Sequence, residues 1–220
     1  MFLIIGGVPK AGTTSMYRYL KESDEVSPSR IKELRMLDLP GFDLNKYLEN
    51  FERDCENKVK LEATPSYLSN ASQVLDNINE DFNFIFILRD PSELFYSLYL
   101  HKKNKTRMIP EGISFYDLVV ELTGERSGLI NDDLFGELKE QLDLGFYSKS
   151  LSKYYDALND KIKVVFFDDF IESPKATCSE VCCHFGLSDG FLSSVIFSVE
   201  NKNRNYKSVF LHRIVHKCIM

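Results

Sequence analysis

The chain of 220 residues carries 27 lysines and arginines against 33 aspartates and glutamates, a formal net charge of −6, so the basic excess of a general nucleic-acid binder is missing. With 44% hydrophobic and 27% charged residues it has ordinary globular composition and is long enough to bury a self-supporting core as one domain, residues 1–220. Its five cysteines, Cys55, Cys178, Cys182, Cys183 and Cys218, are too sparse for a disulfide framework and read as reduced thiols of a cytoplasmic protein.

Residues 2–6 are a continuous apolar run and read as a short buried strand. A loop over residues 7–12 follows, then a helix from Thr13 to about Glu22 with Met16, Tyr17, Tyr19 and Leu20 on its apolar side. Residues 24–42, with Pro28 and Pro40, read as loop, and residues 44–53 as an amphipathic helix. A second strand is expected over 59–62, a helix over 69–79 and the clearest strand over 84–88. Asp90, Pro91 and Glu93 then supply an N-cap, a first-turn proline and a reaching carboxylate, which starts a helix running to about Lys102. Helices are expected near 114–122, 133–142 and 146–158, a strand over 163–167, and a helix that begins at Ser173-Pro174 and ends at Gly186. The tail from about Lys207 also reads as helix. No apolar run approaches the ~20 residues that cross a bilayer, and no signal peptide is legible. Strands alternating with helices predict a parallel sheet covered by helices, with ligands beyond the carboxyl ends of the strands.

Three strand ends carry the chemistry. After the first comes Gly7-Val8-Pro9-Lys10-Ala11-Gly12-Thr13-Thr14-Ser15. A glycine turn lets backbone N–H groups converge, a helix N-terminus adds partial positive charge, and Lys10 and the three hydroxyls complete a site for phosphate or sulfate. It is not a Walker A loop, in which lysine directly follows the last glycine; Thr13 occupies that place. After the clearest strand comes Arg89, whose planar fork suits phosphate oxygens, with Ser97 eight residues later. After the second predicted strand comes Glu62-Ala63-Thr64-Pro65-Ser66-Tyr67.

These segments resemble those of the PAPS-dependent sulfotransferases, in which PAPS is 3′-phosphoadenosine-5′-phosphosulfate. The loop through Lys10, Ala11, Gly12, Thr13, Thr14 and Ser15 resembles their 5′-phosphosulfate loop. The Arg89-Asp90-Pro91 segment with Ser97 resembles their 3′-phosphate site, with Leu94 standing where relatives often carry arginine. The Glu62 segment resembles the E-x-T-P-x-Y stretch of the heparan sulfate sulfotransferase domains. The resemblance runs from Phe2 to about Arg213 and implies the P-loop-like α/β sulfotransferase fold. It further implies PAPS as co-substrate, PAP as product, no obligatory metal, Glu62 as general base and Lys10 beside the leaving phosphate. Lys32 and Tyr67 are implied acceptor contacts, although Leu34, Arg35 and Met36 replace the aromatic residues that usually follow the Lys32-Glu33 pair. Tyr147, in Gly145-Phe146-Tyr147, resembles a helix-opening tyrosine near the donor, and Arg204 a basic C-terminal loop that closes over the 3′-phosphate. The implied acceptor is a hydroxyl or amine of a carbohydrate or glycolipid. Two alternatives stay open at this point. Residues 164–169, which end in Asp168-Asp169, read like the Walker B strand of a P-loop kinase or NTPase. The chain would otherwise be a non-catalytic PAP-binding module.

Overall fold

The structure is a computed structural model that describes residues 1–52, 58–79 and 81–198. Cys55, Cys218, Arg204 and the helix expected from Lys207 lie outside the described residues. The described residues fall into two compact units, one of residues 1–89 and 147–198 and one of residues 90–146.

The first unit is built on a five-stranded, all-parallel sheet. Its strands are β1 (Phe2–Gly7), β2 (Val26–Pro28), β3 (Val59–Ala63), β4 (Phe82–Leu88) and β5 (Ile162–Phe166), in the order β2-β3-β1-β4-β5. The helices around it are α1 (Thr13–Leu20), α2 (Leu44–Leu48), α3 (Ala71–Asn77), α7 (Tyr147–Leu158), α8 (Phe167–Glu172) and α9 (Pro174–His184). The central strands β1 and β4 are almost wholly buried, which explains their unbroken apolar sequences. Partners in register share a face, and Phe2 stacks on its partner Phe82 with ring centroids 4.3 Å apart. Tyr47 of α2 closes that end at 5.7 Å from Phe2, and Tyr154 of α7 packs on Phe84 and Phe86 at 5.0 and 4.6 Å. Each phenylalanine buried this way contributes about 1.5–3 kcal/mol. Gly6 leaves room for this layer, because a Cβ there would lie 2.6 Å from the Phe86 ring.

Two sequence expectations are corrected. The stretch read as loop over residues 24–42 contains β2, which pairs with Val59–Leu61 of β3. A three-residue edge strand that ends in proline has neither periodicity nor a full set of N–H groups to announce it. The strand read as Walker B-like stops at Phe166, and Asp168 and Asp169 lie in the first turn of α8. They therefore belong to a helix and do not end a strand.

The second unit is helical: α4 (Pro91–Asn104), α5 (Phe115–Thr123) and α6 (Asp132–Asp143). Asp90 caps α4, accepting from the N–H groups of Ser92 and Glu93 at 2.9 and 3.1 Å, with Pro91 in the first turn. Phe95, Tyr99, Leu118, Leu122, Leu134 and Leu138 form its core. Among the described residues no helix is long and apolar enough to cross a membrane.

Candidate active site

The loop between β1 and α1 is anchored at its start, where the Val8 N–H donates to Ile87 O of β4 at 2.8 Å. Lys10 and Gly12 both have left-handed backbones, with φ of 65° and 82°. At Gly12 the positive φ favours glycine, and the space is tight as well, because a Cβ would stand 3.1 Å from Phe170 and 3.3 Å from Phe167. Gly12 caps α1 without a side-chain hydrogen bond, and the first turn carries no acidic residue. The N–H groups of Thr13, Thr14 and Ser15 have no acceptor within the helix and lie at the end that carries roughly half a positive charge. Ala11 and the side chains of Thr13 and Ser15 are buried, and Thr14 is half-buried. Glycine geometry, helix terminus and hydroxyls together fit a phosphate or sulfate.

Arg89, at the end of β4, is fastened to that loop. Its Nη1 donates to Lys10 O at 3.0 Å, and its guanidinium carbon lies 4.7 Å from the centroid of the Phe167 ring. Such a cation–π contact is worth about 0.5–2 kcal/mol, depending on desolvation. Tyr147, the first residue of α7, donates its hydroxyl to Arg89 O at 2.7 Å. The structure thus brings Lys10, Gly12, Arg89 and Tyr147 together. Ser97 is a buried residue of α4 in the second unit.

Glu62 stands on β3 opposite Ile4 of β1 and is completely buried. Its Oε1 accepts from the Leu34 N–H at 3.2 Å and from the Thr64 hydroxyl, while its Oε2 is buried with no hydrogen-bond partner. Leu34 belongs to a strap whose five successive N–H groups, from Glu33 to Leu37, all donate to residues 62–67. Glu33 donates to Ala63 O at 3.1 Å and Arg35 to Thr64 Oγ1 at 3.3 Å, while Met36 and Leu37 donate to the Tyr67 hydroxyl at 3.1 and 3.3 Å. The strap turns through left-handed Glu33 (φ 64°) and Arg35 (φ 52°). Its charges pair internally, with Lys32 Nζ 2.8 Å and Arg35 Nη2 3.2 Å from the Glu33 carboxylate. Beyond Tyr67, the Leu68 N–H donates to Gly6 O at 2.8 Å and stitches this segment to the end of β1.

Burial pushes the Glu62 carboxyl up to about 7, against the opposing pull of the Thr64 hydroxyl, the Leu34 N–H, the charge of Lys32 and the nearby Tyr67 hydroxyl. Burial, and then the Glu62 charge, raises the hydroxyls of Tyr17, Tyr47 and Tyr67 in turn. At Glu33 burial pushes the carboxyl upward, but the hydrogen bonds and charges of Lys32 and Arg35 outweigh it and hold the group below the usual range. A carboxyl poised near neutrality with one unsatisfied oxygen can take a proton from a ligand. Tyr67, implied by resemblance as an acceptor contact, is wholly buried, and its hydroxyl fastens the strap. Thr64 and Phe167 were not singled out from the sequence. Thr64 was detectable as the residue two beyond Glu62 on an extended chain, where side chains share a face. Phe167 had no signal beyond its place at a strand end.

The sulfotransferase domain family matches residues 2–210. A comparison with curated protein sequences finds no significant match. Among solved structures, a sulfotransferase from Alicyclobacillus acidocaldarius superposes with a TM-score of 0.72 at 21% identity, over 91% of this chain and 86% of that one. The sulfotransferase domain of the Synechococcus PCC 7002 olefin synthase gives 0.57 at 15% identity, over 87% and 75%. Mouse sulfotransferase SULT7A1, complexed with PAP, gives 0.53 at 9% identity, over 85% and 59%. The likeness to these structures is one of fold, whereas the family match spans nearly the whole sequence, and the chain therefore belongs to the sulfotransferase domain family.

Proposed function

We propose that the enzyme transfers a sulfuryl group from PAPS to a hydroxyl or amine of a carbohydrate or glycolipid, with Glu62 as general base and PAP released as product. The observation that carries this reading is the buried, unpartnered Oε2 of Glu62 at the end of β3. Buried polar atoms are nearly always satisfied, so an oxygen left without a donor calls for a ligand's O–H or N–H. Glu62 accepts the acceptor proton on Oε2 as the acceptor atom bonds to sulfur. The bond from sulfur to the bridging oxygen breaks, and its electron pair stays on the phosphate of PAP. Lys10 and the first-turn N–H groups of α1 offset the charge that grows there. Arg89 receives the 3′-phosphate, and Lys32, whose side chain is 22% exposed, contacts the acceptor. The carbohydrate class rests on Glu62 within its Thr64-Pro65-Ser66-Tyr67 context. Free thiols at Cys178, Cys182 and Cys183 of α9 suit a reducing cytoplasm.

Incubation with sulfur-labelled PAPS and a panel of glycans, glycolipids and simple phenols tests the acceptor class. Label is expected on the carbohydrate acceptors. Label on phenols alone would overturn the carbohydrate assignment.

A further inference from the structure

We propose that Thr64 is the positioning residue of the site: it pins Oε1 of Glu62 and leaves Oε2 as the oxygen free to take the acceptor proton. The inference rests on the reading of Glu62 as base and deepens it.

Thr64 is fully buried and follows β3 in extended conformation, with φ −127° and ψ 104°, so its side chain lies on the same face as that of Glu62. A threonine hydroxyl has a single proton to give. Here the oxygen accepts the Arg35 N–H at 3.3 Å, and the proton is directed at Glu62 Oε1. The Leu34 N–H, 3.2 Å away, is the second donor to that same oxygen. Both donors favour the charged carboxylate and both act on one end of it. The carboxyl therefore cannot swing about its terminal bond without losing two hydrogen bonds inside a buried site. Without the threonine proton, desolvation would act with less opposition, and a larger share of Glu62 would be protonated at neutral pH, when it cannot act as a base.

The other groups that bear on Glu62 are Lys32 from the strap, Tyr17 from α1, Tyr47 from α2, and Tyr67. The Thr64 hydroxyl also bears on Tyr67 and accepts the Arg35 N–H of the strap, so the serine variant, which keeps both, is the control for the valine one. Thr64→Val removes the proton and keeps the shape, and Thr64→Ser restores the proton. A hydrogen bond to a charged group corresponds to a shift of about one pH unit. In Thr64→Val the acid limb of kcat/KM is therefore expected to move up by about one unit, with roughly a fivefold loss of kcat/KM at pH 7. PAP affinity should not change, and Thr64→Ser should keep the wild-type limb. The pH dependence of the thermal midpoint reports the same ionisation without turnover and should move in the same direction. Thr64→Ala carries the same expectations if the valine variant does not fold. A valine or alanine variant with the wild-type limb would overturn the inference, as would a serine variant as impaired as the valine one. Glu62→Gln separates the two levels. If it is inactive while Thr64→Val matches wild type, the role of Thr64 alone falls; if it keeps full turnover, the base reading falls and takes this inference with it.

Discussion

Glu62→Gln is expected to lower kcat by about 10²–10⁴, the usual worth of a positioned general base, while PAP affinity stays at the wild-type level. The same substitution should make the protein more stable at alkaline pH. The carboxyl of Glu62 sits at about 7 in the folded chain against an ordinary value of 4.5. Between those values the folded protein holds a proton that the unfolded chain has released, so stability is full at low pH and falls as pH rises through the window. At about 1.4 kcal/mol per unit, the loss is on the order of 3 kcal/mol above pH 7. Glutamine mimics the protonated form and does not pass through this loss. Thermal melts at pH 8 should therefore place Glu62→Gln several degrees above wild type, and melts near pH 4 should place the two together. An inactive but more stable variant excludes unfolding as the cause of inactivity. Wild-type kcat/KM should rise through about pH 7 for the same reason, because only the ionised carboxylate accepts a proton.

Lys10→Ala is expected to cost about 10²–10³ in kcat, the usual worth of one preorganised donor on a developing anion, with a smaller loss of donor affinity. The backbone makes this substitution clean. Lys10 already has φ of 65°, and alanine, which also has a Cβ, keeps that strain unchanged. Lys10→Gly relieves the strain and should gain about 1 kcal/mol of stability while losing turnover as alanine does. A left-handed lysine held between two glycines is strain retained at a functional loop. Steady-state kinetics beside thermal melts of the two variants checks both halves. Near-wild-type turnover in either variant would remove Lys10 from the transition state.

Much of the architecture was legible in the sequence because its parts are local. The apolar run through Phe84–Leu88 announced β4, and Asp90-Pro91 announced the cap of α4 that the structure contains. The glycine-lysine segment announced the loop that joins the end of β1 to α1. Strand β2 was not legible, since its existence depends on Val59–Leu61 pairing with it across the sheet. Asp168 and Asp169 were read as Walker B-like because nothing local distinguishes a strand that ends at Phe166 from one that runs through Phe167 to the aspartates. At the site, Glu62 was visible through its surrounding motif, but its burial and the strap over it are products of tertiary folding. The five N–H groups of residues 33–37 donate to residues 62–67, a pairing that the side chains of Leu34, Arg35 and Met36 do not encode. Arg89 likewise read as a phosphate ligand, whereas its hydrogen bond to Lys10 O and its contact with Phe167 required the sheet to be assembled.

Calorimetric titration with PAP tests the central claim, a nucleotide cradle formed by the Lys10 loop and Arg89. Saturable binding of one PAP per chain is predicted, weakened in Lys10→Ala and in Arg89→Ala and not reproduced by ATP with magnesium. Heat from ATP–magnesium with no response to PAP, or PAP binding indifferent to both substitutions, would contradict it.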